Sequence, residues 1–188
     1  MKKIALATLF AIFATAAMAD SVTLEGQSID GKKGQADQGL LAIGVKADIN
    51  KSFAADVRLE SLRTQGTDAV SSKVEGGLTG THQLFGPVSG YVRGALGENY
   101  TGTTNYGYYS VEPGVKAALG SGVTAQVGWR FRDAVSNQSV NQFTSRTWRA
   151  GLAYDITPKD QIGARYDWQR GDTGQNANIV TVNYTRGF

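Results

Sequence analysis

The 188-residue sequence predicts an all-β fold, a closed up-and-down antiparallel barrel of ten strands that crosses a lipid bilayer. Three observations predict it. Apolar residues alternate with polar or small ones at period two along most of the chain, and short turn signals close the alternating runs in pairs. The pairs repeat: Gly44-Val45, Gly77-Leu78, Gly114-Val115 and Gly151-Leu152 lie 33, 37 and 37 residues apart, and Arg58, Arg93, Arg130 and Arg165 lie 35, 37 and 35 apart. The apolar face is wide, aromatic and nearly free of charge, whereas the other face carries acids and bases together. Lipid outside and a polar lumen inside produce that contrast, and closure gives every backbone polar group a partner.

The chain opens with Met1-Lys2-Lys3, an apolar run from Ile4 to about Ala17, and Ala17-Met18-Ala19 ahead of Asp20. A basic start, an apolar middle and a small-residue cleavage site make residues 1–19 an expected secretory signal peptide, leaving 20–188 as one barrel domain. The apolar run is shorter than the roughly 20 residues of a helical span. Lys2 and Lys3 leave with the signal, so the formal charge of +3 falls to +1, and no basic stripe points to nucleic acid. With no cysteine there is neither a disulfide nor a thiolate metal site.

The first strand is expected from Asp20 to Asp30, with Val22 and Leu24 on one side, broken by Gly31-Lys32-Lys33-Gly34-Gln35. In the first hairpin Leu41, Ile43, Val45, Ala47 and Ile49 descend to Asn50-Lys51-Ser52, and Phe53, Ala55, Val57 and Leu59 ascend. After a polar loop around 64–72, Val74, Gly76, Leu78, Gly80, His82 and Leu84 descend to Phe85-Gly86-Pro87, and Val88, Gly90, Val92, Gly94 and Leu96 return. A loop over 98–105 precedes the third hairpin, where Tyr109, Val111, Pro113, Val115, Ala117 and Leu119 lead to Gly120-Ser121-Gly122, and Val123, Ala125, Val127, Trp129 and Phe131 come back. Pro113 predicts a bulge or a local edge, because proline cannot donate to the ladder. The longest loop, 133–145, leads to Trp148, Ala150, Leu152, Tyr154 and Ile156, the turn Thr157-Pro158-Lys159, and Ile162, Ala164, Tyr166 and Trp168. A last loop over 171–177 enters the closing strand of Val180, Val182, Tyr184 and Phe188. Eight strands is the alternative if the first and last segments pair poorly.

Turn centres fix a register that charge can check. Centring the turns on Lys51, Ser121 and Pro158 sets Lys46 opposite Asp56, Glu112 opposite Arg130 and Arg149 opposite Asp167, all on the inward face. Opposed opposite charges stabilise a strand pair by about 0.2–1 kcal/mol. The Phe85–Pro87 hairpin sets Arg93 against Thr79 instead. Outside, Trp129, Phe131, Trp148, Tyr166 and Trp168 lie away from the turns, and Phe53, Tyr154, Tyr184 and Phe188 lie near them, as two membrane interfaces select. A soluble β-sandwich also takes an alternating apolar face, but not the charged inner one.

Over the whole of 20–188 the chain resembles the small outer-membrane β-barrels of Gram-negative bacteria, the opacity-protein and OmpA/OmpX-like group. Val180-x-Val182-x-Tyr184-x-Arg186-x-Phe188 is similar to the closing-strand signal of such proteins, which the barrel-assembly machinery reads; Arg186 stands where an apolar or aromatic residue is usual. Ser21-Val22-Thr23-Leu24-x-Gly26 resembles the opening strand of general porins, although ten strands are too few for a porin of that size. The resemblance implies the outer membrane, contact with its lipid and lipopolysaccharide, and a monomer; short turns at one end and an even strand number put both termini in the periplasm.

The candidate functional residues form a lumen charge layer of Lys46, Asp56, Arg58, Glu60, Glu75, Arg93, Glu112, Arg130, Arg149, Arg165 and Asp167. The four ascending arginines either make an anion-selective ring in a narrow pore or fill the lumen, paired with Glu60, Glu75, Glu112 and Asp167, since an unpaired buried charge is costly. His82, the one histidine, falls on the outward parity near a turn, so no hydrolase site is expected. No metal or cofactor is expected; Asp30, Asp37, Asp68, Asp133 and Asp172 lack calcium-loop spacing. Two function classes stay open, a structural or surface barrel with a charge-filled lumen and a narrow porin-like channel for small solutes or ions.

Overall fold

A computed structural model describes residues 19–32, 36–67, 70–101, 105–135, 144–172 and 176–188; the expected signal residues 1–18 and Asp68 lie outside them. Period-two alternation becomes ten strands: β1 (Ser21–Gly31), β2 (Gln38–Asp48), β3 (Phe53–Thr64), β4 (Val70–Phe85), β5 (Val88–Tyr100), β6 (Asn105–Gly120), β7 (Val123–Ala134), β8 (Ser145–Asp155), β9 (Asp160–Gly171) and β10 (Ala177–Gly187). Each pairs antiparallel with its neighbours in sequence, and β10 pairs with β1 through eleven partner positions to close the barrel. The eight-stranded alternative is therefore excluded. Strands run further into the expected loops than composition suggests: β4 begins at Val70, β5 continues to Tyr100 and β6 starts at Asn105.

The registers follow the turn centres. Lys46 faces Asp56, Arg149 faces Asp167 and Thr79 faces Arg93. Val111–Phe131 and Gly114–Gly128 carry the register that puts Glu112 level with Arg130. Pro113 causes no bulge. It pairs with Val92 on the β5 side, and the β7 ladder has a gap at 112–113 with its register unchanged, because the missing N–H removes a bond without inserting a residue. The irregularities sit beside two turns instead, between Gln83 and Phe85 and between Ala118 and Gly120. At the second, Gly120, Ser121 and Gly122 all adopt positive φ (91°, 50° and 76°), which two glycines make accessible.

The outward face is apolar and exposed, including Leu41, Leu78, Val92, Leu96, Val127, Leu152 and Val182. Trp129 faces Trp148, and Trp148 faces Trp168, making a row of three tryptophans across β7–β9 on the loop side. Phe53, Tyr154, Tyr184 and Phe188 lie near the other end. The lumen is less uniformly polar than expected. Leu40, Ala42, Tyr91, Ala95, Tyr106, Tyr108 and Ile179 are buried on the inward parity, and the aromatic and larger aliphatic members pack among the charges.

The start of β1 and the end of β10 meet at the turn end, where the Phe188 N–H donates to the Asp20 carbonyl at 3.0 Å. Arg186 faces Asp160 across β10 and β9 and donates to both of its carboxylate oxygens at 2.6 and 2.7 Å. The Tyr184 hydroxyl donates to Asp160 Oδ1 at 2.5 Å. A cation in the closing strand is thus neutralised where it leaves the apolar band. The Thr157 hydroxyl also donates to Asp160 Oδ2 at 2.6 Å. Asp160→Asn is therefore expected to lower the urea midpoint of refolded protein at neutral pH, since it removes the acid that Arg186 grips. An unchanged midpoint would contradict this.

Candidate functional site

Inward positions of the strands converge on one charged interior. On β3, Arg58 contacts Glu60 at 3.0 Å and Glu25 of β1, and Glu60 also contacts Lys73 of β4. On β5, Arg93 grips Asp56 with two bonds of 3.0 and 2.5 Å and donates to Glu75 Oε1 at 2.7 Å. On β8, Arg149 donates to Glu112 Oε2 at 2.5 Å and approaches Asp167 at 3.5 Å. On β9, Arg165 donates to Asp167 Oδ1 at 2.8 Å and lies 3.9 Å from Glu25. Glu25, which sequence reasoning missed, joins the Arg58 cluster to the Arg165 cluster. Its strand shows one weak alternating run in sequence, and only closure against β10 brings Arg165 near it.

The expected register holds while two expected ion pairs do not. Lys46 faces Asp56 but pairs with Asp48 at 2.6 Å, and Asp56 turns to Arg93. Glu112 pairs with Arg149, and Arg130 has no ion pair within 4 Å among the described residues. The reason is reach. A buried arginine side chain spans two strands, so the diagonal acid competes with the one opposite. Three of the four ascending arginines, Arg58, Arg93 and Arg165, fill the lumen in paired form; Arg130 does not.

Two tyrosines, unremarked in sequence, complete the packing. The Tyr108 hydroxyl donates to Glu75 Oε2 at 2.9 Å, and that of Tyr91 donates to Glu112 Oε1 at 3.1 Å. Tyr91 lies over Gly114 and Gly128, where a Cβ would come within 2.5 Å of its ring or hydroxyl, and Tyr108 lies over Gly97 in the same way. The repeating glycine of the hairpin has a related role, since Gly77, Gly114 and Gly151 lie beneath Arg93, Tyr91 and Arg165.

Among the described residues, two cavities lie in the interior. One of about 580 Å³ extends from Gly31 and Thr101 at the loop end to Arg130, Arg149 and Asp167, and one of about 210 Å³ lies on the turn side among Asp56, Tyr91, Arg93 and Lys116. Arg58, Glu60, Arg130 and Arg149 line both, so these side chains form the layer between them. His82 is exposed on the outward side of β4, away from this interior. Asp172 pairs with Arg146 at 3.1 Å, and Asp37 accepts from the Gly31 N–H at 3.2 Å.

The sequence matches no protein-family model and no curated protein. By shape it is similar to an outer-membrane channel from Pseudomonas putida F1, with a TM-score of 0.58 at 10% identity over 89% of this chain and 94% of that one. It is also similar to the KdgM porin solved in complex with disordered oligogalacturonate, with a TM-score of 0.52 at 9% identity over 89% and 99% of the two chains. The translocator domain of the autotransporter NalP from Neisseria meningitidis gives a TM-score of 0.50 at 9% identity over 100% and 98%. At such identities the likeness is one of fold: a small outer-membrane β-barrel.

Proposed function

We propose that this chain is a non-enzymatic barrel of the Gram-negative outer membrane whose role is structural or surface-directed, with a lumen closed to solutes. The observation that supports this most is the layer of paired Arg58, Glu60 and Arg149 between the two cavities, backed by the Arg93–Glu75–Tyr108 cluster. Charges held this way fill the narrow interior with side chains. In this reading residues 1–19 are cleaved, the assembly machinery reads the closing strand, both termini face the periplasm, and the monomer meets phospholipid and lipopolysaccharide through its apolar exterior.

A narrow channel is the second reading, favoured by the cavities on either side of that layer. Planar-bilayer recording of refolded protein separates the two. The sealed barrel is expected to give no steady unitary steps. Steps in the wild type that Arg130→Trp abolishes would overturn it in favour of the channel.

A further inference from the structure

We infer that the loop-side cavity is a binding site for a small oxyanion, a carboxylate or phosphate, held by Arg130 and Arg132. The two arginines occupy successive inward positions of β7 and both line the cavity. They are 8% and 7% exposed, yet Arg130 makes no hydrogen bond or ion pair among the described residues. Arg132 stacks 4.7 Å over the Tyr108 ring and approaches Glu75 only to 3.9 Å, an acid already bonded to Arg93.

Directly across β8, Thr147 faces Arg130 and Ser145 faces Arg132. These residues are 0% and 1% exposed and stand behind the arginines, outside the cavity lining. Among the described residues, Arg130 Nε, Arg132 Nε, Thr147 Oγ1 and Ser145 Oγ all lack a hydrogen-bond partner. Buried polar atoms normally have partners, and one patch that gathers four without them calls for an explanation. The two guanidinium groups are the donors that line the cavity, and the nearest acid, Glu75, is already bonded to Arg93 and Tyr108, so what is missing is an acceptor with negative charge. Its two guanidinium groups lie near one another on one strand face, where their mutual repulsion also favours an anion between them.

The surrounding charge agrees. The cavity is lined by Arg58, Lys73, Arg130, Arg132 and Arg149 against Glu60 and Asp167, and the acids are engaged by Arg58, Lys73, Arg149 and Arg165. About 580 Å³ lies within the range of small-molecule sites. The site stands whether or not the lumen conducts, because it is reached from the loop end.

Isothermal titration of the refolded full barrel with inorganic phosphate and, separately, succinate at constant ionic strength tests this. Saturable one-to-one binding of at least one probe is expected, weakened about tenfold or more in Arg130→Met and in Arg132→Gln. Without anion, Arg130→Met is expected to raise the urea midpoint, since it removes an uncompensated charge, so its loss of binding cannot be blamed on misfolding. No saturable binding of either probe by the wild type would overturn the inference. So would binding that Arg130→Met and Arg132→Gln both leave unchanged, which would place the anion elsewhere.

Discussion

Glu75→Ala is expected to destabilise the refolded barrel by about 3–5 kcal/mol, the cost of stranding a buried cation. Glu75 is nearly inaccessible and is contacted by three groups: Arg93 at 2.7 Å, the Tyr108 hydroxyl at 2.9 Å and Arg132 at 3.9 Å. Removing the carboxylate leaves Arg93 with Asp56 alone and Arg132 with no acid within 4 Å among the described residues. It also orphans the Tyr108 hydroxyl, whose ring is held over Gly97 and cannot easily turn to water. Glu75→Gln keeps the shape and an acceptor, so it is expected to cost less. Urea midpoints, with heat-modifiable gel mobility to score the folded fraction, measure both. A loss below about 1 kcal/mol for Glu75→Ala would mean that lumen water screens these charges as it screens surface pairs.

The exterior and the register were legible in sequence because both depend on period and turn position alone. Once Lys51, Ser121 and Pro158 are turn centres, parity assigns a side to every residue between them, and the structure keeps those sides. Pairing inside the lumen was not legible. Lys46 and Glu112 each choose an acid or base other than the one opposite, and that choice depends on side-chain length and on which strands approach across the interior. Glu25 was missed because it acts through closure, which joins the first strand to the last. Tyr91 and Tyr108 were missed because an inward tyrosine looks like any alternate residue until the glycines beneath it are seen. The repeat held a signal for Tyr91 alone: Gly114 lies under it as Gly77 lies under Arg93, whereas Gly97 under Tyr108 stands outside the repeat.

Val127→Arg is expected to destabilise the barrel by about 2–4 kcal/mol in lipid, the cost of a cation near the bilayer midplane on a barrel's outer face. Val127 lies mid-strand in β7, 47% exposed, facing Val115 and Ala150, with Leu152 on the neighbouring strand. That exposure decides what the experiment reports. On a surface bathed in water the same substitution would fall within about 0.5 kcal/mol of neutral, so the cost measures lipid. Depth provides a second axis: Ser72→Arg, on the outward side of β4 near its loop end, is expected to cost about 0–1 kcal/mol. Gln126, one residue from Val127, points into the lumen directly opposite Lys116. Gln126→Glu is therefore expected to be neutral or to stabilise by about 0.2–1 kcal/mol through that cross-strand pair. Adjacent residues responding with opposite sign to added charge, in unfolding from vesicles, is the signature of a strand with lipid on one side and a charged lumen on the other. Equal tolerance at 126 and 127 would instead place water on both faces of β7.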